Sequence, residues 1–220
     1  MIICSWNINS VRIRIEHLVN LISTLNPDII FLQEIKCLKE EFPDFYKKYD
    51  YNLVINGQKG RHGVAILIKK DIDFKEINFQ QNLLSKEARI CGVSIEKKKK
   101  INLINIYTPN GNPINDYEKY NFKINWLKEL YHLLRNKIDN YENIIIAGDF
   151  NVLENEYDVK NFSEWKNDAL GSLQVRKLFR KILFLGFTNL IRIFYKPGEK
   201  FSFWDYQKAS WERNYGLLID

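Results

Sequence analysis

Two apolar runs of strand length, Ile2 to Ile8 and Asp28 to Glu34, flank a stretch in which Ile15, Leu18, Val19, Ile22 and Leu25 recur at spacings of three and four. Pro27 closes that helical stripe just before the second run begins. Strand, helix, strand at this spacing is a βαβ unit, and it restricts the fold more than any other feature of the chain. Its parallel strands must be buried on both faces, and ligands gather at their carboxyl ends, where Asn7 and Glu34 stand.

The middle of the chain changes rhythm. Tyr51 to Ile55, Gly63 to Lys69, Ile72 to Phe79, Ala88 to Glu96 and Ile101 to Tyr107 are successive strand-like runs separated by Gly, Asp or Lys, which points to hairpins. Lys97 to Lys100 forms the solvated tip joining two of them, since like charges repel and gain nothing from burial. A long helix follows, with Tyr117, Tyr120, Ile124, Leu127, Leu130, Leu134 and Ile138 on one stripe, then a strand from Asn143 to Ala147. That strand runs into Gly148-Asp149-Phe150-Asn151, whose two polar side chains point to the same side if the extended geometry persists. A helix around Gln174 to Leu185 leads to the strand-like Phe201 to Trp204 and finally to Gly216-Leu217-Leu218-Ile219-Asp220. Helices alternating with strands, some in βαβ units and others in hairpins, predict an α/β protein with mixed sheets packed together and helices outside.

With 45% hydrophobic residues, 220 residues supply one sizeable core, so a single domain over 1–220 is expected. Lys and Arg number 33 against 27 Asp and Glu, and the resulting +6 favours a polyanionic partner without naming nucleic acid. Cys4, Cys37 and Cys91 are odd in number and widely spaced, which argues against a disulfide framework or a zinc site and places the chain in the cytoplasm. No apolar run approaches the ~18 residues that span a bilayer, and no leader segment precedes the first strand, so a soluble, unprocessed protein with no membrane partner is expected.

Four apolar strands end in oxygen-bearing side chains: Asn7, Glu34, the pair Asp149 and Asn151, and Asp220. Taken singly, each reads first as a turn or helix-capping residue; their recurrence at strand ends points instead to a hard cation. Carboxylates and amide carbonyls without His or Cys suit Mg²⁺, or Mn²⁺, which leaves coordination positions open for phosphate oxygens. Such an ion neutralises phosphate charge and stabilises a leaving oxygen, while a neighbouring carboxylate positions or deprotonates water. Tyr107 closes its strand just before Thr108-Pro109-Asn110-Gly111, a turn that would lift the phenol into the same cleft, although buried tyrosines with a satisfied hydroxyl are common.

Trp6-Asn7-Ile8-Asn9-Ser10, Leu32-Gln33-Glu34, Gly63-Val64-Ala65-Ile66-Leu67, Asn105-Ile106-Tyr107-Thr108-Pro109-Asn110-Gly111, Gly148-Asp149-Phe150-Asn151 and Arg213-Asn214 through Asp220 together resemble, in order, the exonuclease III family of abasic-site endonucleases. Trp204-Asp205-Tyr206 adds to the likeness to this DNA-repair branch of the wider endonuclease/exonuclease/phosphatase superfamily. The resemblance implies a four-layered α/β sandwich, two packed mixed β-sheets flanked by helices. It also implies Mg²⁺-dependent incision of double-stranded DNA 5′ to abasic sites, with 3′ to 5′ exonuclease and 3′-phosphatase activity at 3′ ends, by a monomer. Asn7 and Glu34 match metal-binding positions, with Asp149 and Asn151 completing the expected ligand set. Asp149 matches the residue that activates water or protonates the leaving group, Asn151 the one that stabilises the transition state, Tyr107 the phosphate-contacting tyrosine, and Asp220 an aspartate that supports the site. Trp204 and Arg213, from their surroundings, are expected near the abasic pocket.

The family continues beyond the motif containing Asp220 to a Ser-Asp-His motif, and this sequence contains none. His17, His62 and His132 follow no Ser-Asp pair and read as structural or solvated. The expectation is therefore a domain lacking its last strands, with a sheet edge exposed and catalysis weakened. Two rival readings stand beside a repair nuclease: an impaired, truncated relative that binds DNA without cutting, and a phosphatase of the same superfamily acting on a smaller phosphoester.

Overall fold

The computed structural model describes residues 1–79, 83–96, 99–139, 143–205 and 209–220; half of the expected lysine tip, residues 97–98, and Tyr206 lie outside them. The chain divides into two compact units, one made of Met1–Tyr107 and Tyr141–Asp149, the other of Thr108–Asn140 and Phe150–Asp220.

The first unit holds β1 (Ile3–Asn7), α1 (Ile15–Leu25), β2 (Ile29–Gln33), α2 (Phe45–Lys48), β3 (Tyr51–Asn56), β4 (Val64–Lys69), β5 (Phe74–Glu76), β6 (Ile90–Glu96), β7 (Lys100–Tyr107) and β8 (Asn143–Asp149). They form two four-stranded mixed sheets, ordered β1-β2-β4-β3 and β5-β6-β7-β8. In each sheet one pair is parallel, β1 with β2 and β7 with β8. The opening βαβ unit is present as the sequence predicts. Asn26, left-handed at φ 44, ends α1 by donating its N–H to the Ile22 carbonyl.

Period-two alternation sends β2 into two cores at once. Ile30 and Leu32 join Leu18 and Ile22 of α1 on one face of the first sheet. Ile29 and Phe31 meet Val93, Ile95 and Leu103 of the second sheet on the other. Helix, sheet and sheet are thus stacked within this unit, and both mixed sheets of the expected architecture are found. The run Ile72 to Phe79 yields only the three-residue β5, since its start lies in the turn that Ile72 closes by donating its N–H to the Lys69 carbonyl.

The second unit contains α3 (Tyr117–Asp139), α4 (Leu173–Leu183), α5 (Ile191–Phe194), β9 (Phe203–Trp204) and β10 (Gly216–Leu217). The buried face of α3 follows the expected stripe from Ile124 to Leu134, but Tyr117 in its first turn is 78% exposed. β9 and β10 pair antiparallel and are shorter than their apolar runs. Beyond Leu217 the backbone leaves the ladder: Leu218 donates to the Asp158 carbonyl and the Ile219 carbonyl accepts from Phe150. Asp158 is in turn buried in an ion pair with Arg192, which also meets Glu154. Among the described residues no helix is long and apolar enough to cross a membrane.

Gly148 lies inside β8 at φ 137, and a Cβ there would fall 2.0 Å from the Ile106 carbonyl oxygen of β7. Gly148→Ala is expected to cost about 1–3 kcal/mol, as overpacking and a strained φ typically do. Urea unfolding checks it, and an unshifted midpoint would show that β7 and β8 separate there freely.

Candidate active site

Asn7, Tyr107 and Asp149 are the last residues of β1, β7 and β8, and Glu34 directly follows β2. Parallel pairing puts Tyr107 opposite Asp149 and Asn7 opposite Gln33, so all four side chains emerge at the carboxyl ends of parallel strands. Asn7 Nδ2 donates to Glu34 Oε1 at 2.9 Å and to Asp149 Oδ2 at 3.0 Å. The Tyr107 hydroxyl donates to the same Glu34 oxygen at 3.0 Å, and Lys36 Nζ lies 3.0 Å from Oε2. Asn9, Ser10, Glu34 and Lys36 all take positive φ, so the chain turns sharply right after each strand and holds these side chains in place.

Burial pushes the Glu34 carboxyl up, yet the hydrogen bonds from Asn7, Lys36 and Tyr107 and the Lys36 charge outweigh it and leave the group below the ordinary carboxylate value. Tyr107 moves the other way: burial first, then the negative charges of Glu34 and Asp149, raise its phenol well above its usual value. The phenol therefore stays a protonated donor at neutral pH.

Three residues to which the sequence reading gave no part in the site surround Tyr107. Arg89, 6% exposed, stacks its guanidinium 4.8 Å from the Tyr107 ring centre and donates to the Tyr107 carbonyl, while the Tyr107 N–H donates to the Arg89 carbonyl. Glu87 pairs with Arg89 Nε, and His62 stands 3.2 Å from Arg89 Nη2 with its ring 5.8 Å from that of Tyr107. Burial, helped by the Arg89 charge, lowers the His62 pKa despite Glu87. His17 and His132 are exposed on helices, as expected. The Gly-Arg-His-Gly turn was the only hint that His62 differs from them.

Beneath the cluster, fully buried Asn105 of β7 donates to the Leu32 and Ala65 carbonyls of the other sheet and accepts from Gln33 Nε2 at 2.8 Å. This bridge anchors the strand that carries Tyr107.

The donors suit the divalent ion that the sequence resemblance implies. Glu34 and Asp149 offer two carboxylates within reach of one amide, a hard-oxygen set that Mg²⁺ accepts while filling its octahedron with water and phosphate oxygens.

The remaining expected residues belong to the second unit. The regular extended backbone of β8 ends at Asp149, and Asn151 takes φ 49. Its Nδ2 donates to the Thr108 carbonyl and its Oδ1 accepts from Asn110. Ser202 Oγ accepts the backbone N–H groups of Ile219 and Asp220. Trp204 donates through Nε1 to Asn214 and packs 4.7 Å from the Trp211 ring, and exposed Arg213 lies 5.3 Å from the Tyr215 ring.

A model of the Endonuclease/Exonuclease/phosphatase family matches residues 4–220. Exodeoxyribonuclease III of Haemophilus influenzae is 29% identical over 225 residues, a match covering 98% of this chain and 84% of that one. Among solved structures, an AP endonuclease from Archaeoglobus fulgidus matches with a TM-score of 0.90 at 32% identity, over 100% of this chain and 85% of its own. A 3′ phosphatase from Neisseria bound to a product DNA hairpin matches with a TM-score of 0.85 at 27% identity, over 98% and 83%. Strand-end carboxylates, the two-sheet core and these matches agree: the chain belongs to the endonuclease/exonuclease/phosphatase family, on its exodeoxyribonuclease III and AP-endonuclease side.

Proposed function

We propose that the chain is a Mg²⁺-dependent DNA-repair hydrolase that cuts double-stranded DNA 5′ to abasic sites and also acts at 3′ ends as an exonuclease and phosphatase. The carrying observation is the Asn7, Glu34, Tyr107 and Asp149 cluster at the strand ends. The single family match over residues 4–220 supports reading both units as one domain, working as a monomer in the cytoplasm.

Glu34, Asn7 and Asp149 hold the metal, with Asn151 assigned to the same set by resemblance; bound there, Mg²⁺ neutralises the scissile phosphate and stabilises the leaving oxygen. The lowered Glu34 pKa keeps that ligand ionised into mildly acid solution. Tyr107, held protonated, turns its single O–H from Glu34 to a phosphate oxygen when the substrate is bound. Asp149 orients or deprotonates the attacking water. Asn151 stabilises the transition state and Asp220 supports the site, while Trp204 and Arg213 lie at the abasic pocket; the resemblance alone carries these four roles.

A labelled duplex with one abasic site, incubated with Mg²⁺ or EDTA, tests the reading. Cutting 5′ to the lesion with Mg²⁺ only is expected, slowed about 10²-fold in Tyr107→Phe by loss of one preorganised donor. A second substrate ending in a 3′ phosphate is expected to lose it, in keeping with the Neisseria 3′ phosphatase match. If the folded chain binds the duplex without cutting it, the impaired DNA-binding reading replaces this one; preference for a soluble phosphomonoester moves the chain to the phosphatases.

A further inference from the structure

Lys123 of α3 has no exposed surface, which is rare for a lysine without partners for its ammonium. Its Nζ donates to the Asn151 carbonyl at 2.6 Å and to the Asn110 carbonyl at 3.0 Å. Those carbonyls belong to the two turns that contribute polar side chains in the second unit, one following β7 and the other following β8. The side chains of the same residues bond each other, Asn110 Nδ2 donating to Asn151 Oδ1 at 3.2 Å, and Asn151 Nδ2 goes to the Thr108 carbonyl at 2.9 Å.

The packing leaves the lysine little freedom. A Cβ on Gly111, at φ 81, would fall 2.6 Å from Lys123 Cδ and 3.0 Å from its Cβ, so the turn closes directly on the lysine stem. Asn151 is itself left-handed at φ 49, a conformation that asparagine adopts more readily than most non-glycine residues. With its carbonyl tied by Lys123 and both ends of its amide engaged, Asn151 is locked in backbone and side chain alike.

We propose that Lys123 is a positioning residue for Asn151: its buried ammonium ties the turn after β8 to the turn after β7 and thereby fixes the direction of the Asn151 amide. The inference rests on the role that the proposed function gives Asn151. Neither the charge nor the burial of Lys123 is needed for α3 to form, since Ile124, Leu127, Leu130 and Leu134 already supply its apolar face.

The experiment uses the full 220-residue chain with Lys123→Met, which keeps the stem and removes the ammonium, Asn151→Ala and the double variant. In Lys123→Met the Asn151 side-chain NH₂ signal, identified by its disappearance in Asn151→Ala, is expected to shift or broaden in ¹⁵N-resolved NMR. kcat for abasic-site incision should fall on the order of 10- to 100-fold, with KM within about twofold. The double variant should be no slower than Asn151→Ala alone, because Lys123 acts through Asn151. A folded Lys123→Met with normal kcat and an unmoved amide signal, or losses that multiply in the double variant, would overturn the proposal. If Lys123→Met does not fold, Lys123→Gln, which retains one donor, takes its place with the same expectations at reduced size; failure of both makes Lys123 a residue of the fold and equally overturns it. Should Asn151→Ala leave incision intact, the role assigned to Asn151 falls and the NMR arm decides Lys123: a moved signal supports positioning and an unmoved one overturns it.

Discussion

Glu34→Ala is expected to reduce Mg²⁺-dependent incision of an abasic duplex by about 10³-fold or more while leaving the fold intact. A bound metal contributes several kcal/mol of charge stabilisation in the transition state, and each ~1.4 kcal/mol is a factor of ten in rate. Glu34 is the residue on which the cluster converges: one carboxylate oxygen collects both Asn7 and Tyr107, and the other faces Lys36. Removing it deletes the charged group proposed to hold the metal and also strips two donors of their acceptor. The same variant has an acid signature. In the folded chain the Glu34 pKa lies below its unfolded value, so its stabilisation is present above about pH 4.5 and fades as pH falls through the lower, folded value. Glu34→Ala should therefore lose less stability on acidification than the native chain. Incision measured across a Mg²⁺ series, with a thermal melt on each sample, checks both parts; a native incision rate in the variant would remove Glu34 from the metal site.

Asp149→Asn should be nearly as damaging, about 10²- to 10⁴-fold in the single-turnover rate at saturating Mg²⁺, the range spanned by loss of a general acid or base. The substitution is almost isosteric, and an amide oxygen still accepts the Asn7 hydrogen bond made at 3.0 Å. What disappears is the negative charge to which the proposed function assigns metal binding and activation of water. At 5% exposure and next to Gly148, whose backbone touches β7, the side chain has no room to be replaced by a neighbour. A rate within about tenfold of native would place the proton transfer on another group.

The contrast between what sequence pattern shows and what it hides is clear in these residues. Asn7, Glu34, Tyr107 and Asp149 were legible as strand ends because each stops an apolar β-branched run. Their meeting was not, since Asn7 joins partners 27 and 142 residues away and Tyr107 one 73 residues away, distances set by strand pairing and crossover rather than by any local period. The helix stripe of α3 was legible too, and it carried an unread signal: Lys123 sits three residues after Tyr120 and four before Leu127, on the apolar face itself. A charged residue at such a position asks for buried acceptors, which the turns at Asn110 and Asn151 provide. Arg89 and Glu87 had no comparable mark; flanking one alanine at the start of a strand, they read as ordinary solvated charges. For Asn151 period-two reasoning carries no information, because β8 ends at Asp149 and Asn151 is itself left-handed.

The buried Asn105 amide has a further consequence for how β7 chooses its partners. Ile101 and Leu103 precede Asn105 on the face that β7 turns to the first sheet, and aliphatic side chains alone would tolerate a shifted alignment. A slip of one residue would carry Asn105 to the opposite face, strand the Leu32 and Ala65 carbonyls and the Gln33 amide without their partner, and drive Ile104 or Ile106 against them. One polar side chain therefore works as an alignment key: it penalises every misregistered sheet, and only the correct pairing sets Tyr107 opposite Asp149.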